Sequence, residues 1–137
     1  MSKLALNDFS TFLFDWGRIK WRISPETQAD VSMSFGDVVV LPGKGHSRHD
    51  HPDADEIIYV LAGSGEQMID DAPPFAIGPG DVFYIPKGVP HSTLNTGWAT
   101  LHLLVVYNPG GPETALRDLP DFQEVEAGRT TPMANTN

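Results

Sequence analysis

GKGHSRHDHPDADEIIYVLAG, residues 43–63, places three histidines within six positions and then runs into a β-forming segment. His49 and His51 stand two apart. On an extended strand that spacing turns both side chains to one face, where both can reach one ion. His46 is three before His49, so simple alternation turns it away, toward a loop or the surface. Glu56 follows after Pro52-Asp53-Ala54-Asp55, and a tight bend there would return its carboxylate to the same point. The run EIIYVL (56–61) is apolar on both alternating faces. Such a strand needs cover on both sides, from a second sheet or from another subunit.

Outward from this stretch the same pattern recurs. Residues 17–23 (GRIKWRI) alternate, with Ile19, Trp21 and Ile23 on one face and Arg18, Lys20 and Arg22 on the other. Residues 31–41 read as one or two strands interrupted by Gly36. Residues 81–85 and 98–107 are rich in β-branched and aromatic residues. Turn signals at 42–45, 62–65, 72–74, 78–81, 86–90, 95–97 and 108–112 separate these runs. With no long helical period between them, the spacing predicts an all-β barrel or sandwich. Only PETALRDL (112–119) reads as helical. From Glu126 on there is little to bury, which predicts a flexible tail over 126–137.

The 137 residues suit a single domain, 1–137, with the chemistry in a core over 31–108. No cysteine is present, which excludes disulfides and thiolate metal sites. The net charge of −9 argues against a nucleic-acid partner. No basic-then-apolar leader and no membrane-length apolar run is visible, so a cytoplasmic location is expected.

His91 comes after the Pro86–Pro90 turn. Together with His49, His51 and Glu56 it would form a mixed nitrogen and oxygen ligand set. Such a set suits one divalent transition metal (Mn, Fe, Ni, Co, Zn or Cu) better than Ca or Mg. Four protein ligands on an octahedral ion leave two positions for water or substrate.

These residues resemble the cupin superfamily. Gly43, His49-Asp50-His51, Glu56 and Gly63 follow its first motif in type and spacing. Gly80, Pro86-Lys87-Gly88, His91 and Asn95 follow its second. The resemblance implies a small single-domain cupin: an all-β double-stranded β-helix (jelly-roll barrel) with a short C-terminal helical segment. It also implies a metal held inside the barrel by His49, His51, Glu56 and His91.

Among the other polar residues, His102 is the candidate catalytic acid or base, against the reading that it is a hydrogen-bonded core or interface residue. Gln67, Thr93 and Tyr84 are candidates to line the cavity. The Arg18/Lys20/Arg22 stripe reads as a solvated face, with gripping of a substrate carboxylate as the alternative. Trp16, Trp21, Trp98 and Tyr59 read as core or subunit-interface residues.

The family hosts many reactions, so fold alone names none. One reading is a metal-dependent isomerase or lyase that moves a proton on a small oxygenated acid or sugar-acid-like substrate. A second is an Fe-dependent dioxygenase. A third is a non-catalytic metal-bearing ligand-binding or sensing protein. Dimethylsulfoniopropionate lyases of this family use a tyrosine close to the ligands, whereas Tyr59 is expected to point outward with Ile58 inward. Ile57, Tyr59 and Leu61, with Trp21 and its neighbours, would leave an apolar patch on a lone barrel. This predicts a homodimer, unless the segment FSTFLFDWG folds back over the same patch.

Overall fold

The structure is a computed structural model that describes residues 3–129. Eleven strands follow in order: Thr11–Phe14 (β1), Gly17–Ile23 (β2), Ser34–Val40 (β3), Gly45–His49 (β4), Asp55–Ala62 (β5), Gly65–Ile69 (β6), Phe75–Ile77 (β7), Val82–Ile85 (β8), His91–Leu94 (β9), Leu101–Asn108 (β10) and Gln123–Val125 (β11). Short 3₁₀ helices occupy Leu6–Asp8 and Pro112–Asp118. The second of these is the helical segment expected at 112–119.

The strands form two antiparallel sheets. Seven run in the order β11-β1-β2-β3-β10-β5-β8, and four in the order β4-β9-β6-β7. Alternation then sorts the side chains. On β2, Ile19 and Trp21 are buried while Arg18, Lys20 and Arg22 face the other way. On β5, Glu56, Ile58 and Val60 are buried while Ile57, Tyr59 and Leu61 stay exposed. On β10, Leu101, Leu103, Val105 and Tyr107 complete the core. Ile58 therefore points inward and Tyr59 outward, as alternation from Glu56 requires.

Gly36 does not divide the β3 segment. It lies opposite Trp21 in the β2–β3 register, and a Cβ there would come 2.7 Å from the indole ring. The glycine makes room for Trp21, which packs on Tyr107 with ring centroids 5.2 Å apart. Trp21 thus belongs to the core, one of the two places expected for it, and adds nothing to the outer patch. The segment around Phe12 does not cover that patch either. It forms β1, which pairs with β2 and β11 near the edge of the large sheet opposite β5 and β8, with Phe12 and Phe14 buried.

The 3₁₀ helix at Pro112–Asp118 is tied down by a buried carboxylate. Glu113 is 1% exposed. Its Oε2 accepts hydrogen bonds of 2.5 Å from both Ser24 and Ser34, and its Oε1 accepts one from the Gly111 N–H. Most of the tail expected from Glu126 onward, residues 130–137, lies outside the described residues.

Candidate metal centre

Four elements aim side chains at one point inside the barrel. β4 supplies His49, the turn after it His51, the start of β5 Glu56 and the start of β9 His91. One nitrogen from each of His49, His51 and His91 can be chosen so that all three lie within 4.8 Å of one another. Glu56 Oε1 lies 3.3 Å from His51 Nε2 and 2.9 Å from His91 Nε2. The sequence-derived set is thus brought together in space.

The turns that achieve this are linked to each other. The Gly88 N–H donates to the His51 carbonyl at 2.9 Å. Gly88 has φ of +77°, a conformation that residues with a side chain rarely adopt. This bond fixes the loop carrying His51 to the turn that leads into His91. Asn95, fully buried, holds the far end of β9: its Nδ2 donates to the Val40 and Ala99 carbonyls and its Oδ1 accepts from the Gly97 N–H.

The ring nitrogens divide their work. His49 Nδ1–H donates to the Ser47 carbonyl at 2.6 Å, and His91 Nδ1–H donates to the Val89 carbonyl at 2.9 Å. Each bond puts the proton on Nδ1 and leaves the Nε2 lone pair facing the barrel, the arrangement metal-ligating histidines adopt. His51 Nε2, His91 Nε2 and Glu56 Oε1 are all buried. Although close, none has hydrogen-bond geometry to any partner. Buried polar atoms left in this state are costly, and one cation among them would satisfy all three. The donor set therefore fits a divalent transition metal.

The electrostatics favour the metal-binding forms of His49 and Glu56, while His91 is drawn toward protonation. Burial, with the neighbouring imidazoles His46 and His91, lowers His49 to about 3. Burial would raise Glu56, but the close imidazoles of His51 and His91 outweigh it and bring the carboxyl down to about 2. His91 is lowered by burial, yet the Glu56 carboxylate more than compensates and the net shift is upward.

His46 departs from expectation. It lines the same cavity, with its ring 4.0 Å from that of His49 and stacked on Trp16 at 5.1 Å. The cause is a register shift. His46 lies opposite Thr93 and His49 opposite His91, so three steps on β4 match two on β9. The extra residue cancels the alternation and returns His46 to the inner face. Burial lowers its pKa to about 4. No residue type or spacing in the sequence announces a bulge there.

The remaining candidates separate. Thr93 lines the cavity and donates to Gln67 Oε1 at 2.5 Å, with Gln67 fully buried. Tyr84 is exposed on the outer face of β8. Trp98 is fully exposed. His102 alternates with the buried Leu101 and Leu103, so it lies on the outer face of β10, with Nε2 3.1 Å from Asp37 Oδ1. It is not among the residues gathered at the centre. Tyr107, not singled out from the sequence, is buried with its ring 4.7 Å from that of His51. Burial, with Glu56 and Glu113, raises its pKa well above the usual value, which keeps the phenol neutral. Apolar side chains such as Ile19, Val40, Ile58 and Leu103 line the rest of a cavity of about 50 Å³.

No helix among the described residues is long and apolar enough to cross a membrane. Protein SchB of Streptomyces halstedii is 34% identical over 119 residues, which cover 86% of this chain and 80% of SchB. The dimethylsulfoniopropionate lyase DddQ of Ruegeria pomeroyi is 44% identical over 57 residues, 41% of this chain but only 28% of the lyase. Among solved structures, a predicted oxalate decarboxylase from Thermotoga maritima superimposes with a TM-score of 0.67 at 23% identity, covering 79% of this chain and 99% of that one, a likeness of fold. Residues 36–107, just over half of the chain, match the Cupin domain family. With the barrel described, and a relative aligned over most of both chains, this protein belongs to the cupin family.

Proposed function

We propose that the protein holds one divalent transition metal through His49, His51, Glu56 and His91, and that it is an enzyme moving a proton on a small oxygenated acid. The observation that carries this reading is the trio of buried, unpartnered atoms His51 Nε2, His91 Nε2 and Glu56 Oε1, converging beside His49. A metal bound there would supply Lewis acidity to a substrate carbonyl or carboxylate.

The chain's own residues supply the rest. His46 stands beside the ligands without being needed to complete the set, and its imidazole is placed to take a proton from a carbon next to the substrate carbonyl. Returning that proton to the carbonyl carbon, while the hydroxyl proton of the first carbon passes to the former carbonyl oxygen, completes an isomerisation with no electrons gained or lost. Thr93 and the neutral Tyr107 offer hydroxyls to orient substrate oxygens. The apolar walls exclude water, and a cavity of about 50 Å³ favours a molecule of few atoms over a polymer. His102, outside the barrel, takes no part in this reading.

The experiment is a panel of hydroxy, keto and sugar acids incubated in D₂O with metal-loaded protein and followed by proton NMR, with and without O₂. Deuterium entering a substrate C–H position without O₂ supports the reading. Turnover only with O₂ consumption would replace it with iron-dependent oxidation. Ligand binding without exchange would replace it with a non-catalytic role.

The functional unit in this proposal is a homodimer, and the cytoplasm is its location. Ile57, Tyr59, Leu61, Val82 and Tyr84 form an outer apolar face on β5 and β8, each at least 40% exposed. A second copy presents the same face to it, as two-fold symmetry requires.

A further inference from the structure

Asp15 and Trp16 form the turn that joins β1 to β2 in the large sheet. The turn is firmly seated. The Trp16 carbonyl accepts a hydrogen bond of 2.9 Å from the Leu41 N–H, just past the end of β3. Gly17 follows, and a Cβ there would run into the Val39 carbonyl oxygen, so the turn lies flush against β3. The Trp16 ring stacks on two others. The buried Phe14 ring lies 5.1 Å away at an interplanar angle of 3°, and the His46 ring 5.1 Å away at 20°. His46 belongs to β4, the edge strand of the small sheet. The Trp16–His46 stack therefore ties a turn of one sheet to the edge of the other, at the wall of the cavity both residues line.

The histidines of this cavity are oriented in two ways. His49 and His91 each donate Nδ1–H to a backbone carbonyl, which occupies one nitrogen and suits a ligand that needs only its Nε2 lone pair. His46 is held by its ring contacts, to Trp16 and to His49 at 4.0 Å. Among the described residues no hydrogen bond to its ring nitrogens accompanies them. A stack fixes the plane of an imidazole and leaves both nitrogens free. That is what a group that takes up and returns a proton needs.

We propose that Trp16 is a positioning residue, whose indole sets the plane of the His46 ring so that a ring nitrogen meets the substrate carbon; this rests on the proton-transfer reading above. Misplacing a reacting group by about 1 Å can cost about 10²-fold in rate, so the stack bears directly on turnover.

The test compares Trp16→Ala and Trp16→Phe in the full chain. The His46 ring protons, assigned by their loss in His46→Gln, should resonate upfield in both metal-free and zinc-loaded protein, shifted by the indole. Trp16→Ala should abolish this shift and Trp16→Phe retain most of it. With pyruvate in D₂O as the probe, deuterium entry into its methyl group should slow in kcat by about 10–10²-fold in Trp16→Ala, with KM changed by less than about twofold, and recover in Trp16→Phe. In a His46→Gln background Trp16→Ala should slow exchange no further, because both changes remove one interaction. Should Trp16→Ala fail to fold, Trp16→Leu, which fills the space without a flat face, takes its place. His46 resonances unmoved by loss of the indole, a kcat unchanged, or an equal further loss in the His46→Gln background would overturn the proposal. Wild-type protein that exchanges no proton would instead overturn the functional reading and the catalytic consequence of the stack, while the ring-proton shifts still decide whether Trp16 places His46.

Discussion

His46 and His49 present their rings to one cavity, 4.0 Å apart, although an odd number of positions separates them on β4. The bulge opposite Thr93 and His91 makes this so. It places an imidazole beside the proposed metal without making it a ligand. His46→Gln is therefore expected to retain one metal per chain while slowing proton exchange into substrate by about 10²–10⁴-fold, the usual contribution of a general acid or base. Elemental analysis beside the exchange rate checks it. Loss of the metal in this variant would make His46 a ligand instead.

Removal of ligands should act on the metal directly. In the proposed set each of His49, His51 and His91 would supply one nitrogen, and Glu56 one oxygen. The His49→Ala/His91→Ala double variant should purify without stoichiometric metal, and the wild-type protein should melt at a higher temperature with metal than after chelation. Full occupancy in the double variant would sink the ligand assignment.

Much of this was legible because period-two alternation and ligand spacing act locally. The strands at 17–23, 56–61 and 81–85 needed only their own residues to be read, and the motif glycines mark turns that the structure confirms. What was not legible depends on pairing between distant strands. The position of His46 follows from a mismatch between β4 and β9. The choice of face for His102 follows from which side of β10 meets the other sheet, since both of its faces are apolar enough to be inside. Trp21 was open to core or interface, and Gly36 opposite it makes the room that settles it in the core.

Acid should destabilise the metal-free protein. Burial holds His49 at about 3 and His46 at about 4, well below an unfolded histidine. Between about pH 6.5 and 4 the unfolded chain binds protons at these sites that the folded chain refuses, so stability falls as pH falls. Glu56, lowered to about 2, adds to the loss below about pH 4.5, where the unfolded carboxyl begins to protonate. His91 acts oppositely, because its raised value gives stability that is lost as pH rises above about 6.5. Below about pH 6.5 the His91 contribution is already in place, so the two lowered histidines predict a melting temperature clearly lower at pH 4.5 than at pH 6.5. A flat profile across that window would contradict the buried, neutral state of both rings.

Glu113 offers a stability test far from the metal. Removing its carboxylate in Glu113→Ala leaves the Ser24 and Ser34 hydroxyls and the Gly111 N–H without their acceptor. Buried donors in that condition cost about 1–3 kcal/mol each, so a loss of about 3 kcal/mol overall is expected in denaturant unfolding. Metal content should stay at one per chain when the variant is folded. A change under 1 kcal/mol would mean that water replaces the carboxylate.

The apolar face on β5 and β8 gives the last prediction. Val82 is 62% exposed and Tyr84 54%, and both lie across from β5 residues in register, Tyr59 opposite Val82 and Ile57 opposite Tyr84. These four side chains with Leu61 form a surface at the edge of the large sheet, where no further strand among the described residues lies beside β8. An edge strand and an apolar face together favour pairing with a second copy. Light scattering at micromolar concentration should give twice the 15.0 kDa chain mass. Tyr59→Lys/Val82→Lys, which places charges within the face but leaves the inward residues untouched, should give the monomer mass with metal still bound. A wild-type mass of one chain that does not rise on concentration would refute the dimer. A dimer that survives the double lysine variant would move the interface to another face.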